Sequence, residues 1–237
     1  MSKRLNFFLG HLSISAVIAV IVFTLVFFVW YPSPLAKAMG VTHLIIMLLV
    51  IDVVIGPLFG WLVYKEGKKT LKFDLAVVIL LQISAFSYGF YSVAKGRPVW
   101  LVYDALAFHV VRQSDLEIAN LNQAFPEYQK PSWFKPQFVA LDTSSKQKAM
   151  LAIPSNIIYY PKYYMDLAQA QAKLQSVAFP LSRLNKYNDP KAVKSILDKY
   201  PEADAWLGMS SIHENMVVLI NKQKGKIIKI VDLRPYR

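Results

Sequence analysis

The stretch VTHLIIMLLVIDVVIGPLFGWLVY, Val41–Tyr64, carries one residue of the Asp, Glu, Lys and Arg set, Asp52. A helix rises 1.5 Å per residue, so about twenty residues cross a ~30 Å hydrocarbon core. Val41–Tyr64 is long enough to do so. Two more stretches of that length flank it: LSISAVIAVIVFTLVFFVWY at Leu12–Tyr31 and LAVVILLQISAFSYGFYSVA at Leu75–Ala94. The expected fold is a membrane protein, with three transmembrane α-helices in residues 1–94 and an α+β extracytoplasmic domain over residues 95–237. The first apolar run is too long for a secretory signal, and Trp30, Tyr31 and Pro32 stand where a cleavage site needs small residues. A retained anchor is expected.

Positive charge in short loops sets orientation. Lys3 and Arg4 precede the first span, and Lys65, Lys68, Lys69 and Lys72 fill the second loop, whereas the first loop, 32–40, has only Lys37. The N-terminus and second loop are therefore expected in the cytoplasm, with the first loop and the whole tail on the other side. Aromatic residues fit these edges, with Trp30, Tyr31, Tyr88 and Tyr91 toward the outer interface and Phe7, Phe8, Trp61 and Tyr64 toward the inner one.

From Lys95 onward, 20 Lys/Arg face 12 Asp/Glu, so the tail is basic by eight charges. The basic residues are scattered rather than striped, which suits anionic lipid or an acidic protein better than nucleic acid. Val99–Tyr103 and Ala107–Arg112 read as a hairpin around Asp104. Ser114–Glu117 has the form of a capping box and predicts a helix to about Phe125. Phe138–Leu141 and Lys148–Ile153 read as strands, Tyr163–Gln175 as helix, and Asp189-Pro190 as a helix start ending at Pro201. Met216–Ile220 and Ile227–Leu233, separated by a turn containing Gly225, read as a terminal hairpin.

Asp52 sits near the membrane midplane. An acid there costs roughly 2.5–3.5 kcal/mol on insertion scales, which the apolar remainder of the span outweighs, so it should face protein. It is open as a proton relay, a catalytic acid, a partner contact, or a protonated or hydrogen-bonded side chain that holds the three helices together. One turn on, Pro57 cannot donate to the carbonyl of Val53 and is expected to kink the helix. Gly56-Pro57-Leu58-Phe59-Gly60 is a G-x-x-x-G pattern, which lets another helix approach closely. Its partner is either one of the chain's own spans or a foreign helix. Asp52, Gly56, Pro57 and Gly60, with His43 near the outer end of the same span, form the candidate partner-binding set.

The chain has no cysteine, which removes disulfides, thiolate metal sites and thiol nucleophiles. Its four histidines lack metal-ligand spacing, and no P-loop, dinucleotide-binding or nucleophile-elbow motif occurs. Catalysis by paired acids in the bilayer needs two of them; Asp74, at the inner edge, is solvated. No catalytic constellation, cofactor or metal is expected.

Several short motifs in order carry a family likeness: Lys3-Arg4-Leu5, Gly10-His11, Val29-Trp30-Tyr31-Pro32, Gly40-Val41-Thr42, Ile51–Leu58, Tyr64–Lys69, Gly96-Arg97-Pro98 and Leu233-Arg234-Pro235-Tyr236. Together they resemble the type IV pilin accessory proteins of Gram-negative bacteria, the TfpX/TfpZ or FimB-like group. The resemblance implies an inner-membrane protein that supports the stability or assembly of a type IV pilin. Its partners would be the major pilin, through membrane helix and head domain, and pilus assembly platform proteins, alongside membrane lipids. It implies no catalytic residues. A pilin-modifying membrane enzyme and a transport subunit using Asp52 are the competing readings. The orientation is tested by fusing green fluorescent protein after Arg237: the fusion should stay dark, and bright cells would place the terminus in the cytosol.

Overall fold

A computed structural model of the chain describes residues 2–142 and 156–236. The chain forms two compact units. One comprises Met1–Val29 and Val41–Gly96, the other Trp30–Gly40 and Arg97–Arg237. The first 96 residues hold α1 (Lys3–Thr24), α2 (Leu35–Ala38), α3 (Val41–Val50), α4 (Gly56–Val63) and α5 (Leu71–Gly96), with α2 belonging to the second unit.

Three helical segments are long and apolar enough to cross a membrane: Lys3–Trp30, Val41–Val63 and Leu71–Gly96. Each lies where an apolar run predicts a span. Two of them contain a π-helical turn, Leu25–Trp30 after α1 and Ile51–Ile55 between α3 and α4. The second falls just before Pro57, where the sequence predicts a kink. The Gly56 N–H bonds Ile51 O, five residues back, rather than Asp52 O. A widened turn of this kind is one way a helix accommodates a residue that cannot donate.

The second unit is a mixed sheet with helices. Its described strands are β1 (Pro98–Tyr103), β2 (Phe108–Arg112), β3 (Gln137–Leu141), β4 (Tyr164–Met165), β5 (Phe179–Pro180), β6 (Ala205–Ser210), β7 (Met216–Asn221) and β8 (Lys226–Val231). The order is β4-β3-β1-β2-β6-β7-β8, with β5 paired to β6. β1/β3 and β2/β6 are parallel and the other pairings antiparallel. Both faces are covered, so β1 and β7 read as unbroken apolar runs instead of alternating ones.

On one face Leu101, Tyr103, Leu207 and Val218 pack with Leu35 and Ala38 of α2 and with Leu174 of α7 (Gln171–Val177). The other face has two clusters. Trp100, Val102 and Val139 meet Tyr128 of α6 (Pro126–Gln129), while Trp206 and Leu219 meet Val193 of α8 (Pro190–Leu197).

The two hairpins and the strand at Phe138–Leu141 stand where the sequence places them. So does the helix after Asp189, whose carboxylate accepts from the Ala192 N–H at 3.2 Å. Other readings change. Ser114–Glu117 starts no α-helix, because Asp115 turns back to bind Arg112. It accepts from the Arg112 N–H at 3.2 Å and the guanidinium Nη2 at 2.7 Å, leaving 3-10 turns at Gln113–Asp115 and Ile118–Gln123. Tyr163–Gln175 is helical only in part. Tyr164–Met165 is captured by β3, and Asp166 opens a 3-10 turn by accepting from the Ala168 N–H at 2.8 Å. β6 went unread because Ala205–Ser210 holds no β-branched residue, yet it lies inside the sheet. The expected strand at Lys148–Ile153 lies outside the described residues.

The largest difference from a simple division at residues 94/95 is the segment between the first two spans. It is built into the second unit, with Leu35 only 2% exposed. Truncating a buried leucine typically costs about 2–5 kcal/mol. Leu35→Ala should therefore lower the thermal midpoint of the second unit of the detergent-solubilised protein, measured by near-ultraviolet circular dichroism, whereas an unstructured loop would tolerate the change.

Candidate functional site

In the first unit, three polar residues on three different apolar spans meet. Hydrocarbon offers polar groups no water, so they must satisfy one another. Gln82 on α5 shares its two Nε2 N–H groups among Asp52 Oδ1 at 2.7 Å, the Asp52 carbonyl at 3.0 Å and Ser15 Oγ on α1 at 3.2 Å, while its buried Oε1 accepts no hydrogen bond among the described residues. Asp52 is 6% exposed and Ser15 is also buried. The Asp52 carbonyl needs this amide. The Gly56 N–H is bonded to Ile51 O, and Pro57, next along the chain, has no N–H.

The small residues make room. A Cβ on Gly56 would collide with the Gln82 amide, and one on Gly60 would lie 2.9 Å from the Phe7 ring and 3.3 Å from His11 Nδ1. Gly56, Pro57 and Gly60 are buried. The G-x-x-x-G face is thus filled by the chain's own α1 and α5, and of the two partners open to it in the sequence, the internal one occupies it. Near its other end, α4 is tied to α1 by Arg4, whose Nε donates to Trp61 O at 2.7 Å and whose guanidinium lies 4.1 Å from the Trp61 ring centre. His43 is apart from this cluster, exposed on α3. Among the described residues no group of acids and histidines could hold a metal ion.

In the second unit, α2 is held by a clasp from the chain's far end. The Ala38 carbonyl accepts from Ser211 Oγ at 2.8 Å and from the N–H groups of His213 and Glu214 at 3.1 Å. Lys37 pairs with Asp232 at 2.8 Å and Glu214 at 3.5 Å, and Arg234 bonds both acids. Burial raises the Asp232 carboxyl, but Lys37 and Arg234 hold it below the usual range; the Asp232 hydrogen bond raises the Lys37 amine. By sign, the clasp is complete between these limits and loosens in acid, as Asp232 takes up its proton. Gly40 has φ +69°, and a Cβ there would press on the His213 ring at 3.2 Å.

At the β1–β2 turn, Asp104 accepts from Leu106 N, Ala107 N and His109 Nε2, each at 3.0 Å. Burial pushes its carboxyl up, and these bonds overcome that and bring it down to about 2. Ala105, at φ 78°, makes the tight turn.

Trp30 and Tyr31, placed by the sequence at the outer interface, are buried in this unit. Trp30 Nε1 donates to Trp133 O at 2.9 Å, and the Arg97 guanidinium lies 4.4 Å from the Trp133 ring centre and 5.9 Å from that of Trp30. Residues from motifs scattered over the sequence, at 30–32, 40, 97–98 and 233–236, therefore lie in one unit. Gln82, Ser15 and Trp133 were not singled out by sequence reading. A glutamine preceded by seven consecutive apolar residues, Leu75–Leu81, was the available signal for the first.

These features define a membrane protein with three apolar spans followed by a mixed sheet-and-helix domain, in which no metal-binding group occurs among the described residues. A family model described as Fimbrial assembly protein FimB matches residues 1–40. Three relatives from Dichelobacter nodosus bear the name fimbrial assembly protein. That of serogroup I is 28% identical over 181 residues, covering 73% of this chain and 70% of its own. That of serogroup E1 is 33% identical over 133 residues, 55% and 52%. That of serogroups C1 and C2 is 34% identical over 116 residues, 48% of this chain and 88% of its own. The chain belongs to the FimB-like family of fimbrial assembly proteins. No solved structure matches it.

Removing the Gln82 amide leaves a buried carbonyl and carboxyl without a donor, a loss of about 1–3 kcal/mol. Gln82→Leu should destabilise the helical bundle in detergent unfolding followed by circular dichroism. Ser15→Ala, which deletes the longest of the three bonds, should do so less.

Proposed function

We propose that this chain is an inner-membrane accessory protein of type IV pilus assembly that binds the pilin before it enters the fibre, chaperone-like, with its sheet-bearing unit in the periplasm. Family membership supports the role in assembly. The observation that carries the binding reading is the open side of α5. Leu80, Ser84, Ala85, Ser87, Tyr88 and Tyr91 are exposed there, within a span long enough to cross the bilayer. Small and hydroxyl-bearing residues on a lipid-facing helix suit close approach and hydrogen bonding by another helix. Asp52, Gly56, Pro57 and Gly60 act one layer further in, by holding α5 through Gln82. His43, exposed on α3, is free for a partner at the outer end. The basic second unit is placed to meet the pilin head or a platform protein.

Deleting the protein should lower the amount of pilin and the number of pili while leaving pilin mass unchanged, read by immunoblot and intact-protein mass spectrometry. A shifted mass would instead mean an enzyme that modifies pilin. Within the same assay, Asp52→Asn keeps an acceptor facing Gln82 and should preserve most piliation, whereas a proton site would lose it.

A further inference from the structure

The segment Lys130–Pro136, KPSWFKP, joins α6 to β3 and displays two large rings outward. Trp133 is 66% exposed and Phe134 72% exposed, with Lys130 and Lys135 exposed beside them. Burying such rings is a main source of folding energy, so their display needs a reason. The loop is not loose. Pro131 and Pro136 restrict its ends, Ser132 Oγ accepts from the Phe134 N–H at 3.0 Å, and Trp133 O accepts from Trp30 Nε1 at 2.9 Å. The face of the Trp133 ring that is covered lies against Arg97.

The anchoring residues identify the occupant. Trp30 is the last residue of one candidate span, and Arg97 directly follows Gly96, the last residue of another. Both therefore stand at the edge of the hydrocarbon by chain connectivity alone. Trp133, 4.4 Å from the guanidinium of a residue that directly follows a span, is within side-chain reach of the headgroup layer. Tryptophan favours that layer, and flanking lysines favour anionic lipid. We propose that Trp133 and Phe134 dip into the outer surface of the bilayer, with Lys130 and Lys135 on lipid phosphates, so that this loop is a membrane-interface anchor of the second unit. The proposal rests on the spans and is independent of any pilin contact.

The chain has no cysteine, so a single introduced one gives a unique labelling site. Phe134→Cys carrying a nitroxide, in the full-length protein reconstituted in phosphatidylcholine–phosphatidylglycerol vesicles, is compared with Lys199→Cys, exposed beyond α8. Collisions with a water-soluble nickel chelate should be several-fold lower at 134 than at 199, and collisions with oxygen higher. Equal chelate access at the two sites overturns the anchor. Protection that arises only when pilin is added also overturns it and makes the loop a protein contact. If Phe134→Cys fails to insert, Lys135→Cys on the same turn reports the same layer.

Discussion

The carbonyl of Asp52 has no backbone donor available to it. The π-helical turn sends the Gly56 N–H to Ile51, and Pro57 has none to offer. In water such a carbonyl would be solvated at once; in hydrocarbon it must be met by protein. Gln82 meets it, and the same amide reaches the Asp52 carboxyl and Ser15, so one side chain ties together all three apolar spans. The glycine opposite it follows from that need, since any side chain at 56 would occupy the space of the amide. Polar contacts of this kind within membranes are individually modest, near 0.6 kcal/mol on average in double-mutant cycles. Their larger contribution here is register. The Nε2 bonds form only where Gln82, Asp52 and Ser15 share one depth.

A different constraint shapes the second unit. The ten residues between the first two spans, 31–40, are too few to fold alone, and they leave Leu35 and Ala38 as apolar side chains outside the spans. Both are buried against the sheet. The helix carrying them is held by hydrogen bonds to Ala38 and by charges from the last residues of the described chain, Asp232 and Arg234. The surface ion pairs alone contribute little. Joined to a fully bonded carbonyl and a buried leucine, they close a unit whose pieces come from both sides of two spans.

These two arrangements bear on function in the same way. Features that look like a site in sequence, the acid in the second span and its small-residue pattern, lie against the chain's own α1 and α5. What remains displayed is the open side of the third span, a basic sheet domain and a pair of aromatic rings beside span-adjacent residues. In the proposed role, the open side of the third span is the surface offered to a partner helix, and the buried polar cluster holds that span to the other two.

The three spans were legible because their signal is length and apolarity, which depend on no other part of the chain. The hairpins were legible from local turn chemistry, Asp104 in one and Gly225 in the other, and the helix after Asp189 from its cap. The capping pattern at Ser114–Glu117 misled because a nearby guanidinium competed for Asp115. Strand β6 was invisible because its sequence is poor in strand-forming residues and it is held by neighbours distant in the chain. Of the candidate site, the sequence placed Asp52 among protein, but not Gln82 and Ser15 as its partners, since three helices must be assembled before their polar residues share a depth. Sequence alone determined which segments suit hydrocarbon, because that is a property of each segment taken singly. Only the tertiary structure decided which polar groups pair, that the first loop belongs to the sheet domain, and that Gly56 and Gly60 face inward, because each depends on surfaces that meet only when the chain is folded.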